Sequence, residues 1–140
     1  MQAAVLNVKL PHLDTYNASR RGAALYYDTV FANIPDLTIP GRQHNSTHVF
    51  HQYTLRLSGG SERRDDLKAY LQELGIPAMI YYPVPLYKQF AFQHWWQGGV
   101  LPVTEQLCDS VFSLPMHSEL NEGILKEITD GVSGFFSNVE

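Results

Sequence analysis

Cysteine and clustered positive charge are both scarce in this 140-residue sequence, and each scarcity removes a class of function. The single cysteine, Cys108, excludes an intrachain disulfide and a multi-cysteine metal cluster. It falls in a predicted amphipathic helix, where we expect it to pack as a small apolar side chain. Only 10 Lys and Arg stand against 14 Asp and Glu, and they are scattered along the chain, so no nucleic-acid groove is expected.

Long apolar runs and the common catalytic or phosphate-binding motifs are also lacking. No run approaches the roughly 20 residues of a membrane span, and no signal-peptide pattern opens the chain, so a cytoplasmic location away from membranes is expected. Neither Gly-x-Gly-x-x-Gly, the Walker spacing nor Gly-x-Ser-x-Gly occurs. A 44% hydrophobic and 17% charged composition is ordinary for a globular protein, and residues 1–140 are predicted to form one domain.

Hydrophobic periodicity predicts alternating helices and strands, and hence an α/β (α+β) fold in which helices pack on a small mixed sheet. The first helix starts without a capping residue ahead of it, which indicates that a segment has been removed before it. The predicted elements are a helix over 1–31 interrupted by Pro11, a loop over 33–46, a strand over 49–57, a helix capped near Asp65 and stopped by Gly75, a strand over 76–82, an irregular segment over 88–99, a helix over 105–109 capped by Thr104, a strand over 111–114 and a helix over 120–136.

A tyrosine-rich, proline-rich loop follows the predicted strand over 76–82. Pro83 and Pro85 fit neither a helix nor a central strand, so the chain must leave the sheet as a fixed, extended loop. Tyrosine offers a flat apolar face and a hydroxyl, which suit a polar ring-shaped ligand such as a sugar or a nucleotide. A tyrosine-rich edge of the core is the alternative. The candidate binding residues here are Tyr81, Tyr82, Pro83, Pro85, Leu86 and Tyr87.

A second group of candidate residues lies around the start of the strand over 49–57. Along this strand, one set of side chains is expected to point opposite to the other: Phe50, Gln52, Thr54 and Arg56 against Val49, His51, Tyr53, Leu55 and Leu57. His48 and His51 are three residues apart, so on a strand they face opposite sides, and no metal site is expected. One of them is a candidate ligand-binding residue, against the alternative of a capping or solvated imidazole. His117, at the end of the strand over 111–114, is a further cleft candidate, and Lys88 is interpreted as a surface charge.

Taken in order, several segments resemble the C-terminal part of the DegT/DnrJ/EryC1 family of sugar aminotransferases. The resemblance covers nearly the whole chain. Each match alone is weak, but their common order and spacing give a strong signal. The matching segments are MQAAVL (1–6), KLPHLD (9–14), RR (20–21), HVFHQY (48–53), RDDL (64–67), LGI (74–76), YPVPL (82–86), LPVTE (101–105) and LPMH (114–117).

The resemblance implies a pyridoxal-phosphate enzyme that moves an amino group, usually from glutamate, to a keto-sugar linked to a nucleoside diphosphate, for bacterial surface polysaccharides. It implies the fold of the small C-terminal domain of aspartate aminotransferase, and a homodimer for the complete enzyme. The family's Schiff-base lysine and its other cofactor-binding motifs, which lie in a large domain, have no counterpart here. The chain alone is therefore expected to bind no cofactor and to be inactive.

The family positions that do match are expected to face the nucleotide-sugar substrate rather than the cofactor, and no residue is expected to be catalytic. Tyr87 departs from the family, which often has His there, so a contact role is expected at that position. The alternative function is a stand-alone module that binds or senses a nucleotide sugar. The matching positions are His48, His51, Gln52 and Tyr53 at the strand, and Tyr81, Tyr82, Pro83, Pro85 and Leu86 at the loop.

Overall fold

Helices pack on a three-stranded antiparallel sheet in the computed structural model, which describes residues 1–137. The predicted fold class is confirmed, although both strand pairings are antiparallel rather than mixed. In chain order the elements are α1 (Gln2–Lys9), α2 (Leu13–Phe31), β1 (Leu37–Thr38), β2 (Tyr53–Leu57), α3 (Gly60–Glu73), α4 (Pro102–Ser110), β3 (Val111–Leu114) and α5 (Glu122–Ser137), with short 3-10 turns at Leu10–His12, Leu86–Lys88 and Gln93–Trp95.

Strand β2 lies between the other two strands and alternates as the sequence predicts. Tyr53, Leu55 and Leu57 are buried, whereas Arg56 between them is exposed. Because successive strand side chains point to opposite faces, one face of β2 meets the core and the other meets solvent. Tyr53 pairs with Leu114 of β3, and Leu57 pairs with Leu37 of β1.

The core forms between this sheet face and one stripe of each of three helices. Helix α5 packs against both α2 and α3, and helix α3 also packs against α4. Burying one such aliphatic or aromatic side chain contributes about 1.5–3 kcal/mol, so these stripes hold the helices in place. The buried apolar residues of the three helices are Ala23, Ala24, Tyr27 and Phe31 in α2, Leu67 and Leu71 in α3, and Leu125, Ile128 and Val132 in α5.

Helix α1 buries none of its residues, and the 3-10 turn Leu10–His12 separates it from α2. The predicted interruption at Pro11 is therefore confirmed. Leu6 and Val8 are 65% and 71% exposed, and Leu10 of the adjoining turn is 66% exposed, so α1 and this turn present an apolar surface that no other part of residues 1–137 covers. No helix within residues 1–137 has both the length and the apolar composition needed to cross a membrane.

The predicted strand over 49–57 is wrong in its first part, because β2 begins only at Tyr53. Phe50 has a φ of +49°, in the left-handed region, where a regular strand cannot continue. Its side chain is buried although the predicted alternation turns it away from the core side. His48, His51 and Gln52 consequently lie in the loop before β2 and not on the strand.

The predicted strand over 76–82 is also wrong. Only Met79 pairs with the sheet, through an isolated bridge in which its N–H and C=O bond to Ser113 at 3.0 and 2.7 Å. Pro77 has no N–H to donate to a longer ladder. The predicted loop over 33–46 contains one element that the sequence did not reveal, the two-residue strand β1, which lies between Pro35 and Pro40.

Two helices begin earlier than predicted. Helix α4 starts at Pro102, whose fixed φ suits the first helical turn, so Thr104 lies inside the helix rather than capping it. Helix α3 starts at Gly60, five residues before Asp65. Gly59 precedes it with a φ of +99°, which L side chains rarely adopt.

Replacing Gly59 should therefore destabilise the fold. In Gly59→Ala the new Cβ meets Arg63 Cδ at 2.8 Å and the backbone is strained, so we expect the free energy of unfolding to fall by about 1–2 kcal/mol in urea denaturation. The matched control is Gly22→Ala within α2, where the new Cβ would meet no atom within 4 Å apart from its chain neighbours and the backbone of its own helix. It should gain up to about 1 kcal/mol from helix propensity. Equal effects of the two variants would contradict the assigned backbone conformation of Gly59.

Candidate functional site

A cleft of about 290 Å³ lies at the end of the sheet where the chain enters β2 and leaves β3. One wall comes from the loop before β2, one from the extended segment around Met79, and one from the residues after β3. The cleft is lined by His51, Gln52, Pro77, Met79, Tyr81, Ser113, Leu114, Pro115 and Met116.

This cleft brings together three of the predicted binding residues: His51, Gln52 and Tyr81. They supply an imidazole, a carboxamide and a phenol, which together donate and accept hydrogen bonds. Met79 and Met116 add apolar, adaptable surface beside them. A few polar groups on an apolar lining are the composition of small-molecule sites, and here they suit a polyhydroxylated ring.

Two other predicted residues, His48 and Tyr53, do not line this cleft. The Nδ1 atom of His48 accepts the N–H of Phe50 at 2.9 Å, so the imidazole folds back on its own loop. Tyr53 is fully buried, and its hydroxyl donates to Asp28 Oδ1 at 2.7 Å. Burial first, and then the Asp28 carboxylate, raises the pKa of Tyr53 far above its ordinary value. Tyr53 is thus a core residue that supports the cleft from behind.

The rest of the tyrosine loop runs away from the cleft. Tyr82 is 68% exposed, and its ring lies 6.0 Å from that of Tyr81, measured between centroids. Pro83 and Leu86 are exposed, whereas Pro85 is buried. Tyr82 therefore extends the surface of the cleft wall outward, and Pro85 fixes the loop on the body of the protein.

A cluster of polar side chains attaches this loop to α4. The Tyr87 hydroxyl donates to Glu105 Oε1, and Lys88 Nζ lies 2.7 Å from the same carboxylate oxygen. The Tyr87 ring also packs against Trp96, with 4.7 Å between ring centroids. Because Glu105 belongs to α4 while its partners belong to the loop, the cluster ties the two together. The expected contact of Tyr87 with a substrate stays a prediction.

The charges in this cluster shift the pKa of each member. Hydrogen bonding from Lys88, and then from Tyr87, lowers the pKa of Glu105 below its ordinary value. The hydrogen bond to Glu105 raises the pKa of Lys88 and that of Tyr87. The interpretation of Lys88 as a plain surface charge therefore misses its ion pair.

Sequence reasoning also missed the residues of the other two walls, Met79 in one and Pro115 and Met116 in the other. The available signal was the Leu-Pro-Met-His run at a predicted strand end, but it drew attention to His117. The Nδ1 atom of His117 accepts the Glu119 N–H at 3.2 Å, and the side chain lies outside the cleft lining. A strand pairing that places Tyr53 opposite Leu114 was needed to identify Pro115 and Met116.

A second concavity, of about 590 Å³, runs along the apolar surface of α1. Arg20, from α2, contributes a guanidinium whose Nε is buried without a hydrogen-bond partner within residues 1–137. We call this concavity the α1 groove. Its lining is Leu6, Asn7, Lys9, Leu10, Leu13, Tyr16, Arg20, Ser118 and Glu119.

The fold described above is that of aminotransferases with known structures. DesV from S. venezuelae, solved in complex with a ketimine intermediate, matches all of this chain with a TM-score of 0.92 and 33% sequence identity. The matched part is 37% of DesV. The chain thus has the α+β fold of about a third of an aminotransferase chain.

The chain belongs to the DegT/DnrJ/EryC1/StrS aminotransferase family, whose model matches residues 1–133. It is 42% identical over 122 residues to UDP-N-acetyl-3-dehydro-α-D-glucosamine 3-aminotransferase of Acidithiobacillus ferrooxidans, covering 87% of this chain and 31% of that protein. It is 39% identical over 139 residues to the pleiotropic regulatory protein of Geobacillus stearothermophilus, covering 97% of this chain and 36% of that protein. The chain thus spans about a third of the length of these relatives.

The residues of the cleft do not by themselves fit pyridoxal phosphate, the cofactor that the family implies. Covalent attachment of that cofactor needs a lysine amine, and its pyridine nitrogen needs an acidic partner. Neither a lysine nor a carboxylate occurs among the residues that line the cleft. The lysine nearest in sequence, Lys88, is paired with Glu105. The cleft therefore offers groups for a substrate and none for the chemistry of the cofactor.

The Glu105 cluster should loosen at acidic pH. Because the folded-state pKa of Glu105 is lowered, its carboxylate stabilises the folded state. This stabilisation is complete above the ordinary carboxyl pKa and is lost as pH falls through the lowered value. In a Trp95→Phe background, so that Trp96 alone reports, we expect Trp96 fluorescence to change in that acidic window as Tyr87 is released from Glu105.

Two variants test this assignment. Glu105→Gln should abolish the acidic fluorescence transition, because no carboxylate remains to titrate at that position. Glu73→Gln removes an exposed carboxylate of α3 outside the cluster, so it should leave the transition unchanged. A transition of unchanged midpoint and amplitude in Glu105→Gln would assign it to another group.

Proposed function

We propose that this chain is the small C-terminal domain of a pyridoxal-phosphate-dependent aminotransferase that acts on a nucleotide-linked keto-sugar. The observation that carries the proposal is the convergence of His51, Gln52 and Tyr81 on one cleft, within a chain of this family. The name of the A. ferrooxidans relative, a UDP-sugar 3-aminotransferase, supports the substrate class. Amino-sugar or surface-polysaccharide synthesis in the bacterial cytoplasm is the proposed context.

In the proposed reaction, glutamate gives its amino group and becomes 2-oxoglutarate, while the keto-sugar exchanges its carbonyl oxygen for that amino group. Pyridoxal phosphate, held by a large domain outside this chain, would carry the amino group between the two. The residues of this chain bind and orient the sugar: His51 and Tyr81 hydrogen-bond its hydroxyls, and the Met79 and Met116 side chains exclude water from one face. Alone, the chain is proposed to be inactive.

The large domain is the proposed partner of α1. Helix α1 buries none of its residues, and the α1 groove adds the Arg20 Nε atom, which has no hydrogen-bond partner in the part of the chain that the structure describes. A surface of this kind is typical of a face that another folded unit covers. A homodimer of the complete protein is part of the same proposal.

The binding role predicts a selective loss in His51→Ala. We expect the dissociation constant for UDP-N-acetylglucosamine, measured by NMR titration of the chain, to rise about tenfold, which corresponds to one hydrogen bond of about 1.4 kcal/mol. Tyr81→Phe should weaken binding in the same direction, because it removes the second proposed hydrogen bond to the sugar. The dissociation constant for UDP alone should change less in both variants, because the proposed contacts are to the sugar.

His44→Ala is the matched control, because His44 is an exposed histidine that lies outside the cleft lining. It should bind UDP-N-acetylglucosamine as the unchanged chain does. If His51→Ala also binds it unchanged, or if it loses UDP and the UDP-sugar equally, the assignment of the cleft to the sugar is wrong.

A second candidate function is a stand-alone module that binds or senses a nucleotide sugar. The name of the G. stearothermophilus relative, a pleiotropic regulatory protein, favours it. The two candidates differ in the state of the α1 surface. A domain that needs a large domain would leave this surface uncovered and associate with itself, whereas an evolved module would exist as one defined species.

The first candidate predicts that α1 drives self-association. Sedimentation velocity at micromolar concentration should show concentration-dependent oligomers, and the double variant Leu6→Gln with Leu10→Gln should reduce them, since both residues line the α1 groove. Val8→Gln removes an equally exposed apolar side chain of α1 outside the groove and should have the smaller effect. A concentration-independent monomer for the unchanged chain would favour the stand-alone module.

A further inference from the structure

Two adjacent residues of α2, Tyr27 and Asp28, hold two of the three walls of the cleft from the core side: the residues after β3 and the loop before β2. The Tyr27 hydroxyl donates to the Pro115 carbonyl at 3.0 Å, and Pro115 lines the cleft. Asp28 Oδ1 accepts the Tyr53 hydroxyl at 2.7 Å, and Tyr53 directly follows Gln52, which belongs to the wall formed by the loop before β2. The Tyr27 and Tyr53 rings pack together, with 4.9 Å between centroids. One turn of α2 therefore bonds to the Pro115 backbone in one wall and to Tyr53, the residue at which another wall joins β2.

Asp28 also reaches further back along the second wall. Its Oδ2 accepts the Arg42 Nε–H at 3.0 Å, and the Arg42 guanidinium lies 4.4 Å above the centroid of the Phe50 ring. The Asp28 side chain is 13% exposed and the Arg42 side chain is 41% exposed, so solvent reaches the Arg42 end of this ion pair. Through its two oxygens, Asp28 thus connects two points of the 42–53 segment, Arg42 and Tyr53, and Arg42 in turn contacts Phe50.

The segment needs such support at Phe50. A bulky residue in the left-handed region strains the backbone and persists only where its surroundings fix it. The ring of Phe50 is buried between Arg42, His48 and Tyr53, with centroid distances of 4.3 Å to His48 and 6.2 Å to Tyr53. This conformation breaks the strand and leaves His51 and Gln52 on the cleft.

Stability alone gives little reason for a carboxylate at this place. An ion pair with one partner this exposed contributes little to stability, because solvent screens it and holding the Arg42 side chain in one place costs conformational entropy. A carboxylate that accepts from a different residue on each oxygen does fix geometry, because Arg42 and Tyr53 must meet it from set directions. The arrangement therefore favours a role for Asp28 in shaping the cleft.

We infer that Asp28 is a positioning residue: it holds the loop that presents His51 and Gln52 to the cleft by fixing Arg42 and Tyr53 together. The identity of the ligand rests on the proposed function, whereas the geometry of the loop does not. Asp28 touches no ligand in this scheme and acts only through these two partners.

The test compares Asp28→Asn and Tyr53→Phe in the 140-residue chain, with Ile128→Val as control. Asp28→Asn and Tyr53→Phe should both shift the ligand-free NMR signals of His51 and Gln52. Both should also raise the dissociation constant for UDP-N-acetylglucosamine about tenfold. Ile128 is buried in α5 away from the cleft, so Ile128→Val should lower the melting temperature while leaving these signals and this constant unchanged. Tyr53→Phe keeps the Asp28–Arg42 pair and carries the test if Asp28→Asn does not fold.

The outcomes separate the positioning role from the proposed function. If the unchanged chain binds no UDP-N-acetylglucosamine, the proposed function fails, and the ligand-free signals of His51 and Gln52 still decide the positioning role. Signal changes confined to α2 and to the partners of the substituted side chain would overturn that role. So would a loss of binding in Ile128→Val as large as that in Asp28→Asn.

Discussion

The pairing of β2 with β3 is the constraint on which the cleft depends. Tyr53 pairs with Leu114, so the residues just outside that pair, Gln52 and Pro115, leave the sheet together at the same end. Each then belongs to one of the cleft walls, Gln52 to the loop before β2 and Pro115 to the residues after β3. Burial of Tyr53, Leu55 and Leu57 specifies this register strongly, because a shift of one residue would turn all three toward solvent.

The two core tyrosines couple this register to the helices. A buried tyrosine contributes packing through its ring, but its hydroxyl must find a partner. Tyr27 finds the Pro115 carbonyl, and Tyr53 finds Asp28. Both hydroxyls are therefore satisfied beside the walls of the cleft, so the same side chains that fill the core also fix the shape of the site.

The sequence predicted the parts of the fold that depend on local pattern. The alternation over 53–57, the break at Pro11 and the strand over 111–114 all follow from side-chain periodicity or from proline chemistry. The failures lie where a tertiary contact decides the backbone. Phe50 reads as a strand residue, and only its burial beneath Arg42 explains a left-handed conformation there. The segment around Met79 likewise reads as a strand but forms a single bridge.

The candidate site shows the same division. The tyrosine loop and the histidine segment were identifiable from residue type, and the structure brings His51, Gln52 and Tyr81 onto one cleft. Tyr53 was grouped with them because sequence proximity cannot separate a residue that lines a cleft from one that supports it. Asp28 and Glu105 were missed for a related reason, since each meets its partners across 14 to 25 residues of chain.

The supports of the cleft and the uncovered surface of α1 are separate parts of the molecule. Helices α2, α3 and α5 supply the helical part of the core and, through Tyr27 and Asp28, hold the cleft, whereas α1 buries none of its residues. Covering α1 would therefore leave the core and its hydrogen bonds to the cleft walls as they are. Under the proposed function, the chain would carry a preformed cleft to the unit that covers α1, because the residues that support the cleft lie outside α1.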